Sequence, residues 1–379
     1  MSSAFAVIAS VSGLVLEAAP LFPSSVCDLI SVYSAAAPAE ELVRAATMAV
    51  PGRLRNLLQP AACAEVRAAF RRAYLHGDLR LAQWLAGHFG LTAADARADD
   101  NYALRFTCEG GQLATAQWLA AHFGLTAADA RARDNAALRY ACAGSHLATA
   151  QWLTAHFGFT PADARDVDNF ALQHACAGGH LATAQWLAAH FGLTPADARD
   201  VDNFALQHAC EGGHLAVAQW LTAHFGLTPA DARAGSNAAL RWACASSHLA
   251  TAQWLASHFD LTPADARDNS GAALRWACEG GQLATVQWLA THFGLTPADA
   301  RANRNAALRW ACEGGHLATA RWLAEHFGLT PADARAQDNY ALRFACSKGH
   351  LATAQWLAAR FGLTPADAGN HASMLGAGL

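Results

Sequence analysis

Residues 179–199 read GHLATAQWLAAHFGLTPADAR, and close variants of this segment recur along most of the 379-residue chain. A fixed period of this kind is typical of a repeat array, in which no unit can bury its apolar face alone. The pattern predicts nine units between residues 67 and 372. One tryptophan per unit marks the 34-residue period: Trp84, Trp118, Trp152, Trp186, Trp220, Trp254, Trp288, Trp322 and Trp356.

Each unit carries signals for two helices and a short helical turn. In the unit that starts at Asn135, a short alanine-rich segment ends at two small residues, which are Gly-Gly in most units and suit a left-handed helix end. A second segment, 147–157, has a wide apolar face and ends at Gly158. The tetrapeptide TPAD then follows, seven times in identical form along the chain. Thr as the N-cap, Pro at the first helical position and Asp at the third predict a capped helical turn.

The repeat resembles the ankyrin repeat. Residues 135–153, NAALRYACAGSHLATAQWL, align with the helix pair of that family, and Gly179-His180 matches its Gly-His literally. The tetratricopeptide repeat shares the period but not the residues, because its W-x₂-L-G-x₂-Y pattern is absent. The unit has one residue more than the family's 33, and TPADAR stands where the family has an extended finger. The repeat sequence is similar to that of divergent ankyrin arrays of protists and large DNA viruses.

The resemblance implies an all-α, ankyrin-like solenoid with a short helical turn in place of the β-finger. Residues 1–66 are expected to be an N-terminal helical capping segment, 67–372 the array, and 373–379 a frayed tail. Residues 21–35, LFPSSVCDLISVYSA, faintly resemble the start of an F-box, the motif that docks ubiquitin-ligase adaptors. No polar capping unit follows the last repeat, so the C-terminal end could support self-association.

Composition narrows the classes of partner. The formal net charge of −4 provides no basic field, so we expect no general nucleic-acid partner. No apolar run is long enough for a transmembrane helix, so we expect no membrane partner. The basic residues are almost all arginine, with Lys348 the single lysine, a bias to which the sequence alone attaches no chemistry.

Eight cysteines also follow the period: Cys108, Cys142, Cys176, Cys210, Cys244, Cys278, Cys312 and Cys346. Equivalent residues of stacked helices lie about 8–10 Å apart, beyond the roughly 7 Å that a disulfide spans between Cα atoms. They are interpreted as buried thiols in a reducing compartment. We therefore expect an intracellular, cytoplasmic protein.

The histidines invite a metal hypothesis, but their spacing argues against it. Fourteen of the eighteen fall at two fixed positions, and no local cysteine or carboxylate completes a zinc-like set. His174 and His208 occupy equivalent positions in adjacent units and remain an alternative. No nucleophile elbow, phosphate loop or convergent carboxylate pair is present. We expect no cofactor, no metal site and no enzyme activity.

The tryptophan series has two interpretations. It could be a stacking platform for single-stranded nucleic acid or a glycan, or it could pack unit against unit, since Trp buries a large area in a mostly alanine interior. The second is favoured, and it makes the following residues structural: Trp118, Trp152, Trp186, Trp220, Trp254, Trp288 and Trp322.

Residues that differ between units carry more information than those that repeat. Variation falls in the linker before Asn and just after that Asn, where one edge of a solenoid would meet a partner. Neutral drift of exposed loops is the alternative. The candidates for partner binding are Asp99, Tyr102, Arg133, Val167, Phe170, Val201, Phe204, Asn269, Asn303, Gln337 and Tyr340.

These residues predict a non-enzymatic protein-protein interaction scaffold with an unidentified protein partner. One alternative is the substrate receptor of a ubiquitin ligase, with the F-box-like segment as its docking element. A further alternative is the aromatic platform for single-stranded nucleic acid or a glycan.

One unit departs from the pattern. Ser246-Ser247 replaces Gly-Gly, Asp260 replaces the glycine that ends the second helix, and Gly271 replaces Asn. Each change costs on the order of 1 kcal/mol if the backbone shape is kept. The sequence therefore predicts a softer joint over residues 237–270.

Overall fold

The computed structural model of the protein describes residues 61–374. Residues 1–60, including the F-box-like stretch at 21–35, and residues 375–379 lie outside the described range, so most of the predicted capping segment and tail lie there too. The chain divides into two compact units, one ending at Asp163 and the other beginning at Ala164. The same repeat is present in both.

Residues 61–374 form helices and no strand, which confirms the all-α fold class. Each repeat contains a first helix, a second helix that runs over the LATAQWL segment, and a short helix at the PADA segment. The second helices are Leu79–Phe89, Leu113–Phe123, Leu147–Phe157, Leu181–Phe191, Leu215–Phe225, Leu249–His258, Leu283–His292, Leu317–His326 and Leu351–Phe361.

The second helix ends where the sequence predicts, because the glycine that follows adopts a left-handed conformation. At Gly192 the φ angle is 59°, and the backbone N–H of this residue bonds to the Ala188 carbonyl oxygen. Only glycine reaches this region without a steric cost from Cβ.

The predicted helical turn at TPAD is confirmed. In Pro195–Ala198, Thr194 is an extended N-cap, and the Asp197 carboxylate accepts hydrogen bonds from the Thr194 backbone N–H and hydroxyl. The separate short helices are Ala127–Ala130, Pro161–Ala164, Pro195–Ala198, Pro229–Ala232, Pro297–Ala300 and Pro331–Ala334. In two repeats the short helix is continuous with the first helix of the next, as Ala93–Glu109 and Pro263–Glu279.

The other first helices, together with the residues that lead into them, are Ala61–Leu75, Ala132–Ala143, Asp166–Ala177, Asp200–Glu211, Ala234–Ala245, Ala302–Glu313 and Ala336–Ser347. The first of these crosses the predicted domain boundary at residue 66, since it begins at Ala61. Within each compact unit, first helices of consecutive repeats pack against one another, and each also packs on its own second helix.

Leucine, alanine and cysteine form the core. Leu172, Leu187, Ala175 and Cys176 are almost fully inaccessible to solvent, and the equivalent residues of the other repeats are too. Small residues let neighbouring helices approach closely, and the leucines fill the space between them. The repeated tryptophans are half-buried at the border of this core.

The C-terminal end carries one more element. Residues Pro365–Met374 form a 3₁₀ helix that packs against the last first helix, Ala336–Ser347. The Asn339 side-chain amide donates to the Asp367 carboxylate at 3.2 Å. The predicted start of the tail at residue 373 therefore falls inside this helix.

Candidate functional site

Three consecutive residues in left-handed conformation lead into eight of the first helices. In one repeat they are Val201, Asp202 and Asn203, with φ angles of 46°, 57° and 66°. We call this three-residue segment the left-handed turn. It occurs at residues 99–101, 133–135, 167–169, 201–203, 235–237, 269–271, 303–305 and 337–339. Asn or Gly in the third position fits, because these residues tolerate positive φ better than others do.

Seven of the partner-binding candidates occupy the first position of a left-handed turn, and all seven side chains are exposed. The first residue of the turn therefore differs from repeat to repeat in its side chain, while its backbone conformation stays the same. These seven are Asp99, Arg133, Val167, Val201, Asn269, Asn303 and Gln337.

The other four candidates begin the first helices and are half-buried. Each stacks on, or meets the edge of, the aromatic or histidine ring four residues later. The Tyr102 and Phe106 ring centroids are 3.9 Å apart, and those of Phe170 and His174 are 3.7 Å apart. The four are Tyr102, Phe170, Phe204 and Tyr340. We call these four residues, together with the seven turn residues, the turn edge, of which Asp99, Tyr102 and Arg133 belong to the first compact unit and the others to the second.

A side chain from the first helix holds each left-handed turn in place. The Arg309 guanidinium donates from Nε to the Arg304 carbonyl oxygen at 2.9 Å and from Nη2 to the Asn303 carbonyl oxygen at 3.1 Å. Arg105, Arg139 and Arg275 make the same pair of bonds in their repeats. These bonds give two backbone carbonyls of the turn a hydrogen-bond partner.

Two adjacent repeats have glutamine in place of this arginine. Gln173 and Gln207 each donate to one turn carbonyl, that of Asp168 and of Asp202 respectively. A planar guanidinium presents several donors in a fixed fork, whereas an amide presents a single NH₂ group. We call the side chain that binds the turn carbonyls the clamp of that turn. In these two turns the clamp makes one hydrogen bond to the turn carbonyls instead of two, and it carries no charge.

A second set of arginines joins consecutive repeats, and the sequence analysis missed it. Arg199 donates from Nε to Asp231 Oδ1 at 2.8 Å and from Nη2 to Asp231 Oδ2 at 3.1 Å. It also donates to the Gly226 carbonyl oxygen at 3.0 Å, at the end of the next repeat's second helix. The pairs are Arg67–Asp95, Arg97–Asp129 and Arg131–Asp163 in the first compact unit, and Arg165–Asp197, Arg199–Asp231, Arg233–Asp265, Arg267–Asp299 and Arg301–Asp333 in the second.

The aspartate of each pair is the same residue that caps the short helix. Burial alone would raise the pKa of the Asp231 carboxyl, but hydrogen bonds from Arg199 and Thr228 outweigh burial, so this pKa lies below its usual value. In seven of these eight pairs the arginine precedes the capping aspartate of the next repeat by 32 residues, and this constant offset was the available signal; the offset of Arg67–Asp95 is 28. The arginine bias thus has a chemical reason in these positions, since lysine cannot make the bidentate contact.

On eight of the nine described second helices, the repeated tryptophan stacks on the histidine four residues later. Trp186 stacks on His190 with centroids 5.3 Å apart and meets the edge of Phe191 at 5.6 Å. The histidine that follows the small-residue pair contacts the preceding repeat instead. In one repeat, His214 Nε2 lies 2.9 Å from the Ala177 carbonyl oxygen. A Cβ on Gly179 would lie 2.4 Å from the His214 ring, so this glycine also makes room for the next repeat.

Within residues 61–374, no group of three or more His, Cys, Asp or Glu side chains is placed to hold a metal ion. The eight periodic cysteines are free and buried, and burial raises the pKa of the Cys176 thiol. Nor is any helix in this range long and apolar enough to cross a lipid bilayer.

Comparison with known protein families identifies a repeat family in this chain. Residues 274–367 match the family model described as ankyrin repeats (3 copies). This stretch lies in the second compact unit and contains the first helices Ala302–Glu313 and Ala336–Ser347 and the last part of Pro263–Glu279. No curated protein matches the chain.

Proposed function

Because residues 274–367 carry ankyrin repeats, which generally mediate protein-protein interactions, we propose that the chain is a non-enzymatic scaffold that binds a protein partner along the turn edge. One observation carries the proposal. The seven exposed candidates share one backbone position, yet they include acidic, basic, amide and apolar side chains. A constant frame with a varied edge is how a repeat protein acquires specificity.

The clamps that hold the turns support this function. Two bonds from Arg275 to turn carbonyls, at 3.1 and 2.7 Å, fix the segment that displays Asn269. A contact residue on a pre-organised turn loses little conformational entropy when a partner binds. The free, buried thiols support a reducing compartment, so we propose that the scaffold acts inside the cell.

The two alternatives have less support. The F-box-like stretch of the ligase-receptor hypothesis lies outside the described residues. The platform hypothesis requires free aromatic faces for bases or sugars, but one face of Trp186 is already stacked on His190. The turn edge therefore remains the favoured surface, and a protein the favoured partner.

A variant in which the turns are alike tests the proposal. Replacing Asp99, Arg133, Val167, Val201 and Gln337 by Asn makes every changed turn begin as the turns of Asn269 and Asn303 do. We expect this full-length variant to remain folded, because Asn suits positive φ. In affinity purification from the source cell with quantitative mass spectrometry, it should lose most of the proteins that the wild type enriches.

The matched control changes five exposed glutamines of the second helices to Ala: Gln117, Gln151, Gln185, Gln219 and Gln253. We expect the control to retain the wild-type partners. If the control loses them and the turn variant keeps them, the second-helix face is the binding surface and the proposal is wrong.

A further inference from the structure

Two adjacent left-handed turns expose valine. Val167 is 41% exposed and Val201 48% exposed, and among the described residues the only other large apolar side chain this exposed is Leu351. The turns are direct neighbours, since the Asn169 amide of one donates to the Asp200 carboxylate beside the other at 2.8 Å. The two repeats therefore present a pair of apolar side chains on the same edge.

Folding alone would not select valine at this position. The φ angles of Val167 and Val201 are 50° and 46°, a region that is a genuine outlier for a β-branched side chain. Other turns begin with Gly235, Asn269 or Asn303, which tolerate positive φ better. The two valines combine backbone strain with exposure, and strain of this kind concentrates at functional positions.

The surroundings of the two valines are acidic. Each valine stands between two aspartates, and the positions that carry Arg in other repeats are Gln173 and Gln207. Residues 165–211 contain six carboxylates and, besides histidine, two basic side chains, Arg165 and Arg199, which are bound to Asp197 and Asp231. Asp168 and Asp202 are exposed. The field at this part of the turn edge is therefore negative and favours a positively charged partner.

We propose that Val167, Asp168, Val201 and Asp202, here called the valine patch, dock a basic segment of the partner protein in which apolar side chains alternate with lysine or arginine. The apolar side chains cover the valines, and the cations face Asp168 and Asp202. This proposal rests on the proposed function, because it names the partner chemistry of one part of the turn edge.

A labelled synthetic peptide in which lysine alternates with leucine is the probe, measured by fluorescence anisotropy with the full-length chain. We expect binding that weakens as salt rises. A peptide with glutamate in place of lysine, or serine in place of leucine, should bind at least about tenfold more weakly, because it lacks either the charge or the buried apolar area.

Two double variants test whether the peptide binds at the valine patch. Val167→Asn with Val201→Asn should lower the affinity about tenfold and at the same time raise the urea midpoint of unfolding, because strain is relieved. A loss of binding in a more stable protein cannot come from misfolding. Asp168→Asn with Asp202→Asn should lower the affinity about fivefold at low salt and remove much of the salt dependence.

Gln337→Asn is the matched control, since it makes the same replacement at the same turn position of another repeat. It should leave peptide binding unchanged. Failure of the wild type to bind the peptide, or an unchanged affinity in both double variants, would overturn the valine patch. The affinity purification tests the turn edge as a binding surface separately, because it uses no basic peptide.

Discussion

At the scale of single residues, one aspartate serves both the local helix and the neighbouring repeat. Asp231 accepts from the Thr228 N–H at 2.7 Å and from its hydroxyl at 2.8 Å, which caps the short helix. The same carboxylate receives two bonds from Arg199 of the preceding repeat. The local pattern TPAD predicts the first role, and only the folded chain reveals the second.

This double role predicts a pH-dependent contribution to stability. The folded-state pKa of Asp231 is below its usual value, so its contribution is fully present above the ordinary Asp pKa of about 3.9 and is lost as pH falls through the lower folded value. Asp231→Asn should therefore lower the free energy of unfolding by about 1–2 kcal/mol at neutral pH, a range that allows for the partial exposure of Arg199. Urea titrations between neutral pH and pH near 3 should show this difference shrinking only at the acidic end.

Asp202→Asn is the control, because Asp202 is an exposed carboxylate outside the inter-repeat pairs. Its effect on stability should be small and show no comparable acid-dependent change. A difference between wild type and Asp231→Asn that persists undiminished at the lowest pH would contradict the assigned role of the carboxylate.

At the scale of elements, the atypical repeat keeps the common backbone with unsuitable residues. Ser247 and Asp260 have φ angles of 69° and 47°, where most repeats have glycine. Gly271 ends the left-handed turn where the other turns end in Asn, so the side-chain amide is missing there. The backbone shape is therefore kept in this repeat although its residues do not suit it, as the prediction of a softer joint requires. The softer joint itself stays a prediction.

Hydrogen exchange tests the joint. We expect amides of the second helix Leu249–His258 to exchange faster than those of Leu215–Phe225, because the ends of the former are strained. Ser247→Gly combined with Asp260→Gly should slow exchange in Leu249–His258 and add about 1–2 kcal/mol to the free energy of unfolding.

Ser257→Gly is the control, and it should change the free energy of unfolding in the opposite direction. Ser257 lies inside the same helix and donates to the Gln253 carbonyl oxygen, so glycine there should lower stability by roughly 0.5–1 kcal/mol. Equal protection of the two second helices in the wild type would remove the case for a joint.

At the scale of the whole molecule, the repeated residue pattern and its resemblance to the ankyrin repeat predicted the fold class, the helix pair and the capped helical turn. The left-handed turns were not predictable in the same way, because positive φ is uncommon even for Asp and is a genuine outlier for a β-branched residue such as Val201. The Gln207 side chain of the following helix binds the Asp202 carbonyl, which is a contact of the folded chain. The sequence could identify which edge residues vary, but not that seven of them share one exposed backbone position.

The repeat character of the molecule predicts that a complete period can be removed. Residues 167–200 and 201–234 differ at four positions, so deleting 201–234 leaves almost every junction between repeats chemically unchanged. Stability of a repeat array is approximately a sum of repeat and neighbour terms. We therefore expect a folded helical protein whose urea m-value falls by roughly one tenth, since m scales with the surface exposed on unfolding.

A deletion of residues 202–234 is the register control, because it leaves an additional residue between Asp200 and Gly235 and shifts the left-handed turn. Loss of the turn geometry would leave the clamp of Arg241, which donates to the Gly235 carbonyl oxygen at 2.6 Å, without its acceptor in place. This deletion should lower the urea midpoint well below that of the in-register deletion. Equal midpoints for the two deletions would mean that the turn and its clamp contribute little to the joining of repeats, and that the Arg–Asp pairs and the helix contacts alone hold the array together.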